Sequence, residues 1–339
     1  MAGRRTDDIY LTVVIPVLNR EREIARSLGS VAKQVVGHSA EVIVVDAGSA
    51  DHTCQVVREM IRQYPFVLLV ELPSRQNAAT ARNAGLRVAH GEYVWFVDSD
   101  DYVVDGGVDC IWKALKASSP DILRFDKVKD SSESRIDGQS ATEDSRSPVT
   151  LDLARNGRDL KFCLSMGSVW NAIYSRAVIG DVRFNETFDY GEDAVFTWSV
   201  ALRARQGLYL PRQLYVYMQT PGALTSSKPP ARFVCYMRQV EQFVSLIDNA
   251  DIASSVKMEL YSECAWRVYC HAFGCYDPDE IDGEMWKAWR HAYRLVLVDN
   301  VHRGIVARYF SWLLGVIQTR YVAYLVYRIC LSVRRLSRR

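Results

Sequence analysis

Short apolar runs alternate with stretches of helical periodicity along the first hundred positions. Leu11–Pro16 is an apolar run, after which Ile24, Leu28 and Val31 recur at helical spacing. Glu41–Asp46 predicts a second buried strand and Asp51–Tyr64 a second helix. Phe66–Glu71, Ala78–Ala89 and Tyr93–Asp98 continue as strand, helix and strand. This alternation builds βαβ units and a mostly parallel sheet, the α/β class. Ligands of such sheets bind at the carboxyl ends of the strands. Asn19, Asp46 and Asp98 all stand at or just past such ends.

The pattern then changes. Lys127–Pro148 is polar and rich in Ser and Asp, and reads as an exposed loop or weak hairpin. A second block predicts a helix near 151–164, a Trp170-Asn171 segment, a helix opening at Glu192-Asp193 and a strand near Gly207–Val216. Thr220–Pro230 carries three prolines and reads as a loop, and from Arg232 onward the signal is mostly helical and aromatic. The expected organisation is a sheet domain over 1–230, with halves at about 10–125 and 150–220, and a helical region over 231–339.

Composition narrows this further. A chain of 339 residues is long enough for one large domain with an extension, or for two domains. Its net charge of +2 gives no support to bulk nucleic-acid binding. The eight cysteines form no Cys-x-x-Cys pair and no zinc-like Cys/His set, and they read as small core residues of a reduced, cytoplasmic protein. Met1–Asp8 is polar and lacks the apolar stretch of a signal peptide.

Asp98-Ser99-Asp100-Asp101 is the densest cluster of candidate chemistry. Carboxylates crowded at the end of a buried strand repel one another and strain toward protonation. A cation among them relieves that strain, and oxygen ligands suit Mg²⁺ or Mn²⁺ held beside substrate phosphates. Taken alone, the four residues read more simply as a solvated acidic turn in which Asp101 caps the next helix. Asp46 can accept from a ribose or a base edge, and Gly48 allows a tight turn or close approach. Ser49 or Asp51 reads as a helix N-cap. Pro16 ends the first strand's ladder, and Asn19 either caps the next helix or touches a nucleotide. Arg82 could supply charge to a diphosphate, although a lone arginine more often lies on the surface. Glu192 and Asp193 open a helix whose dipole they complement, and a carboxylate there could also serve as a general base.

Together these segments resemble the family 2 glycosyltransferases of the GT-A fold, a Rossmann-like, mostly parallel sheet with, here, a helical C-terminal extension. Six segments stand in family order. They are Val13–Asn19, Val44–Ser49, Ala81-Arg82-Asn83-Ala84-Gly85, Gly91–Asp101, Ser168–Asn171 and Tyr190–Asp193. The resemblance covers about residues 10–217 and lies closest to bacterial enzymes that build capsules, exopolysaccharides and cell-wall glycans. It implies a nucleotide-sugar donor, most often a UDP-sugar. Asp46 and Pro16 would line the base pocket, with Asn19 beside the nucleotide. Arg82 would lie near the diphosphate and Ser99 near the sugar. Asp98 and Asp100 would form the metal motif, with Asp100 on the Mn²⁺ or Mg²⁺ itself and Asp98 on the donor's ribose or the metal's water shell. Asp193 would be the catalytic base with Glu192 adjacent, and Trp170 would line the acceptor side. Inverting transfer to a glycan or lipid-linked hydroxyl follows.

Eight arginines and no other acidic or basic residue except His302 follow Asp299. In a helix, the six from Arg320 onward fall within an arc of roughly 140°. That pattern predicts a tail, over 309–339, lying on the inner face of the cell membrane, or else packing on protein; a homo-oligomer is compatible with it. Two other functions stay open: a nucleotide-binding, non-catalytic subunit of a glycan assembly complex, and a nucleotidyltransferase. The second is disfavoured because Asn19–Glu23 holds no Gly for a phosphate loop. No Gly-x-Gly-x-x-Gly follows any strand, which argues against a dinucleotide-binding dehydrogenase.

Overall fold

The computed structural model describes residues 9–130, 146–165, 168–218, 229–296 and 323–324. The chain divides into two compact units, Met1–Ala223 and Leu224–Arg339.

The first unit is built on β1 (Leu11–Val17), which is buried at every position. Its β-branched residues fit a pleat covered on both faces. β1 pairs in parallel with β2 (Ala40–Asp46) on one side and β4 (Tyr93–Phe96) on the other, and β3 (Val67–Glu71) lies beyond β2. The crossovers are α1 (Ile24–Val35), α2 (Thr53–Gln63) and α3 (Ala78–Val88). α3 lies close on β1, since a Cβ at Gly85 would stand 2.4 Å from Val14 Cγ1. Arg82, one turn earlier on the same helix, is thereby carried to the buried side.

The chain continues through β5 (Tyr102–Val103), α4 (Gly107–Ser118), β6 (Ile122–Asp130), β7 (Val149–Asp152) and α5 (Gly157–Ser165). β8 (Ala172–Ser175), α6 (Arg176–Ile179), α7 (Glu192–Ala201) and β9 (Gln206–Met218) complete the unit. The nine strands form one mixed sheet of order β3-β2-β1-β4-β8-β6-β9-β5, with β7 also on β9. β8 is antiparallel to both β4 and β6, so β4 and β6 run the same way. Their carboxyl ends share one edge of the sheet.

Several boundaries differ from the sequence expectation. β1 runs one residue past Pro16, because the Val17 carbonyl still accepts from the Ala47 amide. Lys127–Asp130 is not loop but the end of β6, paired with β9 through Met218; residues 131–145 lie outside the described residues. The helix expected near 151–164 starts only at Gly157, because Val149–Asp152 is a strand on β9. Asp152 then turns the chain by accepting from the Arg155 amide at 3.0 Å.

The second unit packs α8 (Pro230–Asn249), α9 (Ser254–Phe273) and α10 (Gly283–Arg294) around Phe233, Phe243, Leu260, Val268 and Trp289. Asp282 caps α10 by accepting from the amides of Glu284 and Met285. Among the described residues no helix is long and apolar enough to cross a membrane. The basic tail expected at 309–339 lies outside the described residues, save Ala323 and Tyr324.

Candidate active site

Asp46 ends β2 and is buried, with Oδ2 accepting from the Gly48 and Ser49 amides at 3.0 and 2.9 Å. Its Oδ1 is buried without a hydrogen-bond partner. The Cys54 thiol, pushed up to about 12 by burial, Asp46 and Glu71, stands nearby as a weak donor. A carboxylate oxygen left in this state costs about 1–3 kcal/mol, and an N–H from a ligand would relieve it. Gly48 turns at φ +85°, and a Cβ there would stand 2.5 Å from the Ser74 carbonyl carbon. Gly48→Ala should therefore cost about 2 kcal/mol in chemical unfolding and weaken nucleotide binding with it.

Asn19 does not cap α1, which begins five residues later. It adopts φ +52°, donates its amide to Ser49 Oγ at 2.8 Å and accepts from the Ala50 amide at 2.8 Å. It ties the loop after β1 to the loop after β2. Ser49 is thus engaged across the edge and does not cap α2. Asp51 holds the start of α2 from one residue outside the cap position, its Oδ1 accepting from the Thr53 amide. Pro16 is buried within β1.

The 98–101 loop follows β4. Its backbone is gripped by α1 and its approach: Ser27 Oγ donates to the Asp98 carbonyl at 3.0 Å and Arg26 to the Asp100 carbonyl at 2.7 Å. Ser99 is buried. Asp100 faces Arg20 at 3.5 Å, and burial followed by repulsion from Asp98 pushes its carboxyl pKa up. Asp101 does not cap a helix, since α4 begins only at Gly107. Its oxygens accept from the Tyr215 hydroxyl and the Met218 amide, both at 2.8 Å. Burial, then Asp98 and Asp100, push it up to about 8.

Arg82 is buried rather than on the surface. Its fork donates through Nη2 to Asp98 Oδ1 at 2.9 Å and through Nη1 to Glu192 Oε1 at 2.6 Å. It thereby joins the end of β4 to the start of α7. Burial opposes its charge, but Asp98, Glu192 and Asp193 raise its pKa well above the ordinary value. Asn83, its neighbour, holds the chain before α7 through the Phe184 backbone at 2.9 Å. Asp193 sits in the first turn of α7, where Oδ1 accepts from the Ala194 amide at 2.8 Å. Burial and Glu192 raise its pKa, Arg82 lowers it and Asp98 raises it, leaving it pushed up to about 7.

Trp170 does not present an open ring. It is 5% exposed and stacks on Tyr215 at 4.7 Å, with Lys127 Nζ over it at 4.4 Å. It lies in the turn before β8 and also stacks on Tyr217 at 5.6 Å. Two residues of the site gave little sign in the sequence. Tyr215 accepts from the Asp98 amide at 3.1 Å and donates to Asp101, yet reads in sequence as an ordinary strand tyrosine. Arg124 is fully buried within Ile122–Phe125; a charge inside an apolar run was its one signal.

The site thus gathers Asp46, Arg82, Asp98, Asp100 and Asp193 at the carboxyl edge of the sheet. Residues 12–182 match the family described as glycosyl transferase family 2. The chain is 23% identical over 256 residues to the uncharacterized glycosyltransferase EpsJ of Bacillus subtilis strain 168, covering 74% of this chain and 73% of that protein. It is 30% identical over 259 residues to TarS of Staphylococcus aureus, a poly(ribitol-phosphate) beta-N-acetylglucosaminyltransferase, covering 74% of this chain and 43% of TarS. Several relatives are longer, and the chain spans 32–43% of their length. The crystal structure of S. aureus TarS 1–349 with UDP-GlcNAc matches with a TM-score of 0.72 at 23% identity, covering 86% of this chain and 82% of that one. That likeness shows the GT-A fold. Because the family match takes in just over half of the chain, including the strand ends that carry Asp46 and Asp98 and the helix that carries Arg82, this protein is a glycosyltransferase belonging to family 2.

Proposed function

We propose that the chain is an inverting glycosyltransferase of cell-surface polysaccharide synthesis. It moves a sugar from a nucleotide-sugar, a UDP-sugar before others, to a hydroxyl of a glycan or lipid-linked acceptor. The observation that carries this reading is the Arg82 bridge, which holds Asp98 and Glu192 on one guanidinium beside Asp193. A donor's diphosphate end and a proton acceptor would then meet at one edge of the sheet.

Asp46 Oδ1 accepts an N–H from the base, which a uracil ring offers and which the unpaired oxygen needs. Asp98 and Asp100 are the residues that would hold a divalent cation. Their hard oxygens suit Mn²⁺ or Mg²⁺, and the raised Asp100 pKa is the repulsion a cation would relieve. Among the described residues no three His, Cys, Asp or Glu side chains gather into a metal cage. That fits a cation shared between one or two carboxylates and substrate phosphates. When bound, it supplies Lewis-acid stabilisation to the charge on the departing diphosphate.

Asp193 takes the proton from the acceptor hydroxyl as that oxygen attacks the anomeric carbon from the face opposite the leaving group. The new glycosidic bond forms as the bond to the diphosphate oxygen breaks, and the configuration inverts. Arg82 keeps Glu192 and Asp98 paired, so that the protonation of Asp193 responds to the substrate.

Calorimetric titration with UDP, with and without Mn²⁺, tests the donor side. UDP should bind more tightly with Mn²⁺. Asp46→Ala should weaken binding by about tenfold, the scale of one lost hydrogen bond to a charged group. Equal UDP affinity in wild type and variant would remove Asp46 from the base pocket.

A further inference from the structure

Inside β6 stands a charged side chain where folding alone favours an apolar one. Arg124 is fully buried, and its Nε and Nη2 have no hydrogen-bond partner among the described residues. Unpaired buried donors are costly, and apolar residues of similar volume often replace buried charges without loss of stability. From Nη1 Arg124 donates to the Ser168 carbonyl at 3.0 Å and to Asn171 Oδ1 at 3.2 Å, and the Cys163 sulfur stands beside it as a weak acceptor. A guanidinium only donates, so the amide atom facing it must be the oxygen. The Asn171 NH₂ is turned the other way.

Asn171 is itself 3% exposed and lines a cleft of about 340 Å³ with Asp126, Lys127, Ser165 and Gln213. The Asp126 carboxylate is held by the Tyr209 hydroxyl, 2.9 Å from both oxygens. Lys127 is held over the Trp170 ring. Ser165 Oγ donates to the Phe162 carbonyl at 2.8 Å, which leaves its lone pairs to accept. One carboxylate, one ammonium, two carboxamides and a hydroxyl sum to no net charge. They offer donors and acceptors at short range, which is what hydroxyl groups require. A bound phosphate would instead meet Asp126.

The cleft's place also fits transfer chemistry. It lies toward the carboxyl end of β6, on the sheet edge that carries the 98–101 loop. Burial opposes the Arg124 charge, while Tyr174, Cys163 and Asp193 support it.

We infer that this cleft is a subsite for a neutral saccharide or polyol of the acceptor, with Asn171 the recognition residue and Arg124 the residue that positions it. The inference rests on the transfer reading above. Its test uses the full chain, with methyl β-glucoside and sorbitol as neutral probes and glucose 6-phosphate as the anionic comparator, followed by saturation-transfer NMR. UDP titration runs in parallel. Asn171→Leu should weaken the neutral probes about tenfold, and Arg124→Met should reproduce that loss, both with unchanged UDP affinity. Gln213→Ala, at an exposed position, keeps the test open should either buried variant misfold, and should weaken the same probes. A wild-type chain that binds only glucose 6-phosphate or no probe, or neutral probes bound as well by all the variants, overturns the subsite. A wild-type chain that fails to bind UDP overturns the donor reading instead.

Discussion

Asp193→Asn should lower sugar transfer by about 10²–10⁴-fold, the usual contribution of a positioned general base. Nucleotide affinity should stay unchanged. The amide keeps the oxygen that accepts from the Ala194 backbone, so the start of α7 is preserved while the proton acceptor is lost. A base works only when deprotonated. With Asp193 held at about 7, kcat/KM of the wild type should rise as pH increases through that value. Glu192 is a neighbour whose charge raises Asp193, so Glu192→Gln should move this limb to lower pH. Turnover retained in Asp193→Asn would assign the proton transfer to another group.

Arg82→Met should destabilise the first unit by about 3 kcal/mol, because removing one partner strands the other charges in a partly desolvated site. For a unit of this size that lowers the melting temperature by roughly 6–12 °C. The side chain of Arg82 is 6% exposed, and those of Asp98 and Glu192 are 26% and 12% exposed, so water compensates them only in part. Arg82→Lys should rescue little. One ammonium lacks the planar fork that reaches Asp98 and Glu192 at once. Because Arg82 lowers the pKa of Asp193, its loss should also move the kcat/KM limb to higher pH, opposite to Glu192→Gln. Thermal unfolding and a pH–rate series on the two variants check both effects. A melting temperature unchanged in Arg82→Met would show that the bridge carries no net stability.

The strands β1, β2 and β4 could be read within a residue or two, because a strand buried on both faces must be apolar along its length. The acidic loop and the Glu192-Asp193 helix start were legible for a similar reason. Each is a local cluster whose chemistry shows in consecutive residues. The helix expected near 151 failed where pairing with β9 made Val149–Asp152 a strand, a choice set by the neighbouring strand. The helix-cap readings of Asn19 and Asp101 failed in the same way, because each is engaged by a residue of another strand or loop, Ala50 and Met218.

The sequence by itself determined the α/β alternation, the strand ends where a ligand can sit, and the carboxylates available for metal and proton chemistry. Periodicity and residue type carry that information, and both act between near neighbours. Only the tertiary structure decided that Arg82 is buried, that it reaches 110 positions along the chain to Glu192 while also holding Asp98, and that Arg124 donates to the Asn171 side chain. Those pairings depend on the order in which strands enter the sheet. A side chain's burial and partners are fixed by that order, and no local pattern in the chain encodes them.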